Sequence, residues 1–207
     1  MYDRLVIPAV VLAAGASTRM GRPKSLLPIG APAEPFVARI ARTLLAGGAD
    51  DVVIVVGAHA PEVCDAIRSA GVCARVVENP QWARGQLSSL VAALDLVDRP
   101  GVRAILVMPV DMPLVTPDSV RAVLDAYRRH AHPVVRPFDG RRHGHPVLFD
   151  RELFGALRAA DPARGARAVI AAHLEAVLDV PVADEGAYQD IDTPEDFERF
   201  VAGLTGR

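Results

Sequence analysis

What most limits the folds open to this chain is a rhythm: short β-branched runs alternate with longer stretches whose apolar residues recur at helical spacing. The runs Leu5–Leu12, Asp51–Val56, Ala74–Glu78, Arg103–Met108, Pro133–Val135, Pro146–Phe149 and Val177–Pro181 read as strands. Between them PFVARIARTLLAGG, PEVCDAIRSAG, GQLSSLVAALDLVD and DSVRAVLDAYRRH read as helices, with Gly or Pro at their ends. Alternation of this kind makes βαβ units, whose right-handed crossovers cover both faces of a mainly parallel sheet. The expected fold class is therefore α/β, a single three-layer domain over residues 1–207 with a Rossmann-like sheet. A chain of 207 residues is long enough for one full hydrophobic core. The stretch Arg136–Gly144, rich in Arg, His and Gly, breaks the rhythm and reads as an excursion from the sheet that shapes a site.

Charge and apolar patterning narrow the partners. A formal net charge of −2 gives no electrostatic reason to expect nucleic acid. No apolar run approaches the roughly 20 residues of a membrane span. The opening MYDRLVIPAVVLAAG lacks a basic segment ahead of its apolar run, so no signal peptide is read and a cytoplasmic location is expected. Cys64 and Cys73 form no C-x-x-C or metal-spaced pair, and both read as small buried hydrophobes.

The first strand runs out into VVLAAGASTRMGRPKSLLP, residues Val10–Pro28. In open α/β sheets ligands bind beyond the carboxyl ends of the strands. Gly15 and Ala16 sit at such an end, where backbone N–H groups can approach an anion unobstructed. Arg19 adds a planar fork of donors and Lys24 a point charge. The P-loop pattern fails, because Gly21 is followed by Arg22-Pro23 before Lys24, and the dinucleotide fingerprint G-x-G-x-x-G is absent. The reading is a phosphate cradle of another kind; the alternative is a surface loop with incidental cations.

This loop closely resembles the signature L-A-[AG]-G-x-S-x-R-M-G-x-x-K of the nucleotidyltransferases that make sugar nucleotides and molybdenum-cofactor dinucleotides, from Leu12 to Lys24 without a gap. The resemblance implies the GT-A-like, nucleotide-diphospho-sugar transferase fold. It also implies that Arg19 and Lys24 lie on the triphosphate, with Leu12, Ala13, Ala14 and Gly15 near the base. ENPQWARGQLSSL resembles the family's N-P-x-W-x-x-G-x-x-x-S-L segment. Gly85 permits close backbone approach, and Ser88 and Ser89 open a helix whose amides and hydroxyls could read a base edge, plain N-capping being the alternative for each. Trp82 reads as core or lid rather than as a stacking platform.

The acids come next. AILVMPVDMPLV is an apolar strand ending in Asp111, whose carboxylate faces the same rim as the first loop, unless it merely starts the turn. Nucleotidyl transfer needs Mg²⁺ on phosphate oxygens, and Mg²⁺ takes one or two protein carboxylates. YQDIDTPEDFERF holds Asp190 and Asp192 ahead of a helix beginning near Pro194. Alternation along an extended segment puts both on one face, about 6.6 Å apart. Asp192 also stands where helix caps stand, in competition with Thr193. DIDTPEDF resembles the superfamily's D-x-D-T-P-E-D motif, which implies Asp111 with Asp192, or secondly Asp190, as ligands of Mg²⁺.

Further on, GHPVLFDRELF and DPARGARAVI resemble two segments of the molybdenum cofactor cytidylyltransferases in particular. With Arg136, Arg141 and Arg142 they would supply a basic wall for an anionic acceptor, and His145, Arg136 and Arg142 are the candidate acceptor-binding residues. A solvated charged face is the alternative. His143 and His145 have H-x-H spacing, but no third ligand is near in sequence. The whole resemblance runs from about Val6 to Phe197, and it identifies the chain as a MobA-like NTP transferase most similar to the cytidylyltransferases. That implies attack by the terminal phosphate of a molybdopterin-type acceptor on the α-phosphate of CTP, with Lys24, Arg19 and Asp111 as catalytic residues. A phosphate monoester is already anionic, so positioning and charge neutralisation suffice without a strong base. CTP over GTP rests on Ala14, because guanylyltransferases of the class show L-A-G-G and a methyl there would press on a purine. Three alternatives stay open: a guanylyltransferase or other MobA-like transferase with a different acceptor, a MobA-like oxidoreductase of a degradative pathway, and a non-catalytic module handing the cofactor to a molybdenum hydroxylase apoenzyme. The missing dinucleotide fingerprint argues against the second, and Lys24 with the candidate metal acids against the third.

Overall fold

The computed structural model describes residues 6–30 and 32–205; Leu5, the expected start of the first strand, lies outside them. Strands β1 (Pro8–Leu12), β4 (Asp51–Val56), β5 (Arg75–Glu78) and β6 (Ala104–Pro109) pair in parallel in the order β5-β4-β1-β6. PAVVL, VVIVV and AILVM are buried throughout, as a central parallel strand covered on both faces requires. The sheet continues through β8 (Val147–Asp150), β7 (Val134–Phe138) and β9 (Val177–Pro181) to seven strands. Only β8 runs against its neighbours, β6 and β7, while β7 and β9 are parallel. A separate two-stranded hairpin joins β2 (Pro28–Ile29) to β3 (Glu34–Pro35).

Period-two alternation along the strands divides the interior into two cores. Val11, Ile54 and Leu106 face helices α1 (Phe36–Ala46), α2 (Ala60–Ser69) and α4 (Pro117–His130), which supply Ile40, Leu44, Val63, Ile67, Val123 and Leu124. Val10, Val55 and Val107 face α3 (Gln86–Val97), α5 (Phe154–Ala159) and α6 (Ala166–Ala172), which supply Leu90, Leu94, Leu157 and Val169. These are the three layers of an α/β domain. The C-terminal α7 (Pro194–Thr205) packs Phe197 and Phe200 against Met20, Leu27 and Phe36, so it closes over the first loop.

Two expectations change. Arg136–Phe138 is not an excursion, because β9 pairs with β7 as far as Phe138. What leaves the sheet is only the turn Asp139–Gly144, pinned where Asp139 accepts the N–H groups of Arg141 at 2.8 Å and Arg142 at 2.7 Å. Those N–H groups hold the Asp139 carboxyl down at about 2. Cys64 is half-buried against the core, but Cys73 is exposed, since it lies in the connection between α2 and β5 and not on a packed face. No helix among the described residues is long and apolar enough to cross a membrane.

Candidate active site

The chain reverses its direction of winding at β1, passing to β4 on one side and β6 on the other. That switch leaves a crevice at the carboxyl ends of the strands, where α/β sheets bind ligands. The Ala13 N–H donates to Val55 O at 2.9 Å and the Val110 N–H to Leu12 O at 3.2 Å, fixing both loops to the sheet edge. Ser17 then folds the first loop back on itself. It has φ +53°, and its Oγ accepts the Lys24 N–H at 3.0 Å, aiming Lys24 into the crevice. Ser17 is a positioning residue that composition alone did not single out; its signal was the serine in the signature loop.

The crevice is a cavity of about 410 Å³ lined by Leu12, Ala13, Ala14, Gly15, Arg19, Lys24, Gly85, Ser89 and Asp111, all candidates from the sequence, and by Gln86 and Trp82. Trp82 is half-buried at its wall. Ser88 does not line it: its hydroxyl donates to Gly85 O at 2.8 Å and Gln81 O at 3.1 Å, so local capping geometry turns it away. Ala14 is 3% exposed. Its methyl fills a notch that only glycine leaves, since a Cβ on Gly57 would stand 2.9 Å from Ala14 Cβ and 2.8 Å from Trp82 Cβ.

Lys24 is nearly buried, and its ammonium is gripped by two acids. Nζ lies 3.1 Å from Asp111 Oδ2 and also donates to Asp192 Oδ1, while Arg19 holds the other Asp192 oxygen at 2.6 Å. Burial pushes the Asp111 carboxyl up, against the pull of Lys24 and with a push from Asp192. Burial also pushes Asp192 up, but Lys24 and Arg19 together outweigh it, and the net shift is down. Thr193 takes the cap of α7: its Oγ1 accepts the Asp196 N–H at 3.2 Å, and Asp196 returns a bond to the Thr193 N–H at 3.0 Å. Asp192 is thereby free of capping. Two hard carboxylates already closed around one cation are a donor set that fits Mg²⁺ or Mn²⁺.

Asp190 goes elsewhere. It lines a second cavity of about 750 Å³ together with Arg136, His143, His145, Arg164 and Arg167. Leu12, Gln86, Pro109 and Asp111 line both cavities, so the two are contiguous at Asp111. His145 faces this space as a neutral imidazole, its pKa held down at about 4 by burial and by the charge of Arg167. Arg136 is paired with Asp179 at 2.7 Å. Arg142 lines neither cavity; it is committed to Asp139 and Glu185, over the Tyr188 ring at 5.0 Å. Arg141 lines neither cavity. Arg136 shares this cavity with Arg164 and Arg167, which stand around the start of α6 and which only the resemblance of DPARGARAVI pointed to.

Residues 9–177 match the MobA-like NTP transferase domain. The chain belongs to that family. This MobA-like chain is 34% identical over 212 residues to the nicotine blue oxidoreductase of Paenarthrobacter nicotinovorans, covering 96% of this chain and 98% of that one. It is 31% identical over 223 residues to the molybdenum cofactor guanylyltransferase of Rhizobium meliloti, covering 95% and 91%. The crystal structure of Rv0371c from Mycobacterium tuberculosis superposes with a TM-score of 0.78 at 29% identity, covering 95% and 98%. Rv0371c is also known in complex with manganese, at a TM-score of 0.72, 27% identity and coverage of 96% and 98%. Membership places the chain in a nucleotidyltransferase family whose members use divalent metal.

Proposed function

We propose that the chain transfers the nucleoside monophosphate of CTP to the terminal phosphate of a molybdopterin-type acceptor, with Mg²⁺, releasing pyrophosphate. The observation that carries this reading is the junction of the two cavities at Asp111. The first, with Lys24 and Arg19, suits a triphosphate; the second, with Arg164, Arg167 and neutral His145, suits an anionic heterocycle. An acceptor oxygen entering from the second cavity reaches the α-phosphorus beside Asp111, forms the new P–O bond, and the bond to the β-phosphate breaks. Lys24 and Arg19 turn from the carboxylates to the phosphate oxygens and stabilise charge on the leaving pyrophosphate. Mg²⁺, when bound, supplies the charge neutralisation that the phosphates need between Asp111 and Asp192. The acceptor phosphate needs no base, which agrees with a site whose histidine, with its pKa held down at about 4, is a weak one. Ala14 lines the first cavity, and its methyl, which a glycine would lack, supports CTP by leaving less room for a purine. Delivery of the product to a molybdenum hydroxylase apoenzyme, in a cytoplasmic setting, belongs to the same proposal.

The relative named nicotine blue oxidoreductase, alike over nearly the full length of both chains, supports a second reading in which the second cavity takes a planar heterocycle for redox chemistry. One set of assays separates the two. Pyrophosphate release is measured with each of the four NTPs, with and without molybdopterin or its molybdenum form. Release with CTP that depends on the acceptor is expected. No release with any NTP, alongside reduction of a heterocyclic dye by a nicotinamide cofactor, would replace the first reading by the second.

A further inference from the structure

Asn79 follows β5 and is 3% exposed, yet it is polar, and its amide makes three bonds. Its own N–H donates to Val56 O at 2.8 Å, anchoring it at the end of β4. Its Oδ1 accepts the Gln81 N–H at 2.9 Å. A backbone N–H can only donate, so the amide cannot be flipped and Nδ2 must face α3. From there Nδ2 donates to Ser88 Oγ at 2.9 Å and to Ser89 Oγ at 3.0 Å. The two hydroxyls differ in what remains. Ser88 passes its proton to Gly85 O and Gln81 O. Ser89 is 4% exposed, lines the first cavity, and finds no acceptor for its proton among the described residues. One of its lone pairs is taken by Asn79, and its proton, still unmet, is what it offers to the cavity.

We propose that Asn79 is a positioning residue that makes the Ser89 hydroxyl a donor to an acceptor atom on the base of the bound nucleotide. This rests on the reading that the first cavity takes an NTP. A buried hydroxyl whose donor is unmet gains a bond when a base carbonyl or ring nitrogen arrives, whereas a base presenting an N–H there leaves that proton unmet. Asn79→Asp keeps the shape and can still accept from Gln81, but it offers Ser89 an oxygen. The Ser89 proton then turns to the carboxylate and away from the base.

The test compares binding of CTP with binding of ribose 5′-triphosphate, which has no base, by calorimetry with Mg²⁺. The wild-type chain is expected to prefer CTP, and Asn79→Asp to cut that preference about tenfold while holding ribose triphosphate as before. A merely structural role would weaken both ligands alike, which would overturn the proposal. Because a buried carboxylate can prevent folding, Ser89→Ala is measured beside it. It should lose the same preference, and Asn79→Asp added to it should cost no more. Retention of the full preference in Ser89→Ala would also overturn the proposal. Equal wild-type affinity for both ligands would overturn it while leaving the triphosphate cradle standing. Failure of the wild-type chain to bind either would remove the NTP reading itself, and this inference with it.

Discussion

Lys24→Met should strengthen one kind of binding and weaken another. Without ligand, the site balances its own charge: Asp111 and Asp192 are offset by Lys24 and Arg19. A divalent cation entering between the acids must displace an ammonium that lies 3.1 Å from Asp111 and also touches Asp192. Lys24 therefore competes with metal until a triphosphate draws it away, and nucleotide and metal arrive as a coupled pair. The acid side chains are 26% and 22% exposed, so water screens part of this attraction. A competition of about 1–2 kcal/mol follows, and Mn²⁺ should bind the free Lys24→Met protein roughly five- to thirtyfold more tightly than wild type. Burial already pushes the Asp111 carboxyl up and Lys24 opposes it, so both proteins are titrated at the same pH on the alkaline side of neutrality, which favours the ionised acids. The same variant loses a contact that strengthens as pyrophosphate leaves, worth a few kcal/mol, so turnover should fall roughly a hundredfold or more. Free Mn²⁺ is followed by its paramagnetic resonance and turnover by pyrophosphate release. Unchanged or weaker Mn²⁺ binding in the free variant would refute the reasoning, because Lys24 would then not stand in the metal's place.

The other expectations are shorter. Asp111→Asn and Asp192→Asn should each abolish turnover with a stability change within about 1 kcal/mol, since partly exposed pairs contribute little; Asp190→Asn should leave Mn²⁺ binding intact, and loss of that binding would move the metal site. Ala14→Gly should raise GTP use relative to CTP only partially, within the about 1–3 kcal/mol one methyl can discriminate, and a parent protein that already takes both equally would sink the base assignment. His145 has a folded pKa of about 4, below the ordinary 6.5, so the unfolded chain binds more protons between those values and stability should fall as pH drops through that window. His145→Gln should flatten that dependence in urea midpoints measured across the same window; an unchanged slope would mean the imidazole is not held neutral by the fold.

The central strands could be read from the chain because burial on both faces writes a continuous apolar run, as in VVIVV and AILVM. The far side of the sheet could not. β7 was expected to stop at Val135, before Pro137, yet it runs on to Phe138. Its ladder with β8 ends at Val135, and beyond it the strand that pairs with it among the described residues is β9, so a proline there removes no bond that the sheet needs. The reversed direction of β8 leaves no mark in a run of four residues, because strand direction is set by connections and not by local pattern. At the second cavity, Arg142 looked as good as Arg136, Arg164 or Arg167; it lines neither cavity, being committed to Asp139 in its own turn and to Glu185, 43 positions on, which no local pattern announces.

The acids before α7 show where local rules suffice and where they stop. Asp190 and Asp192 do flank a fully buried Ile191, as alternation requires. Sharing a side of the chain does not put them in one site: Asp192 meets Lys24, and Asp190 lines the neighbouring cavity. The capping question, in contrast, was answerable from four letters. Pro194 at the first helical position makes the residue before it the cap, and T-P-E-D supplies both halves of a reciprocal cap in Thr193 and Asp196. With the cap assigned to Thr193, Asp192 has no local task. Its carboxylate is held below the ordinary range, burial notwithstanding, only because Lys24 and Arg19 reach it from a loop over 160 positions earlier. An acid that local structure does not need, kept ionised by the two cations of the signature loop, carries its reason in the chemistry of the crevice and not in the stability of the helix.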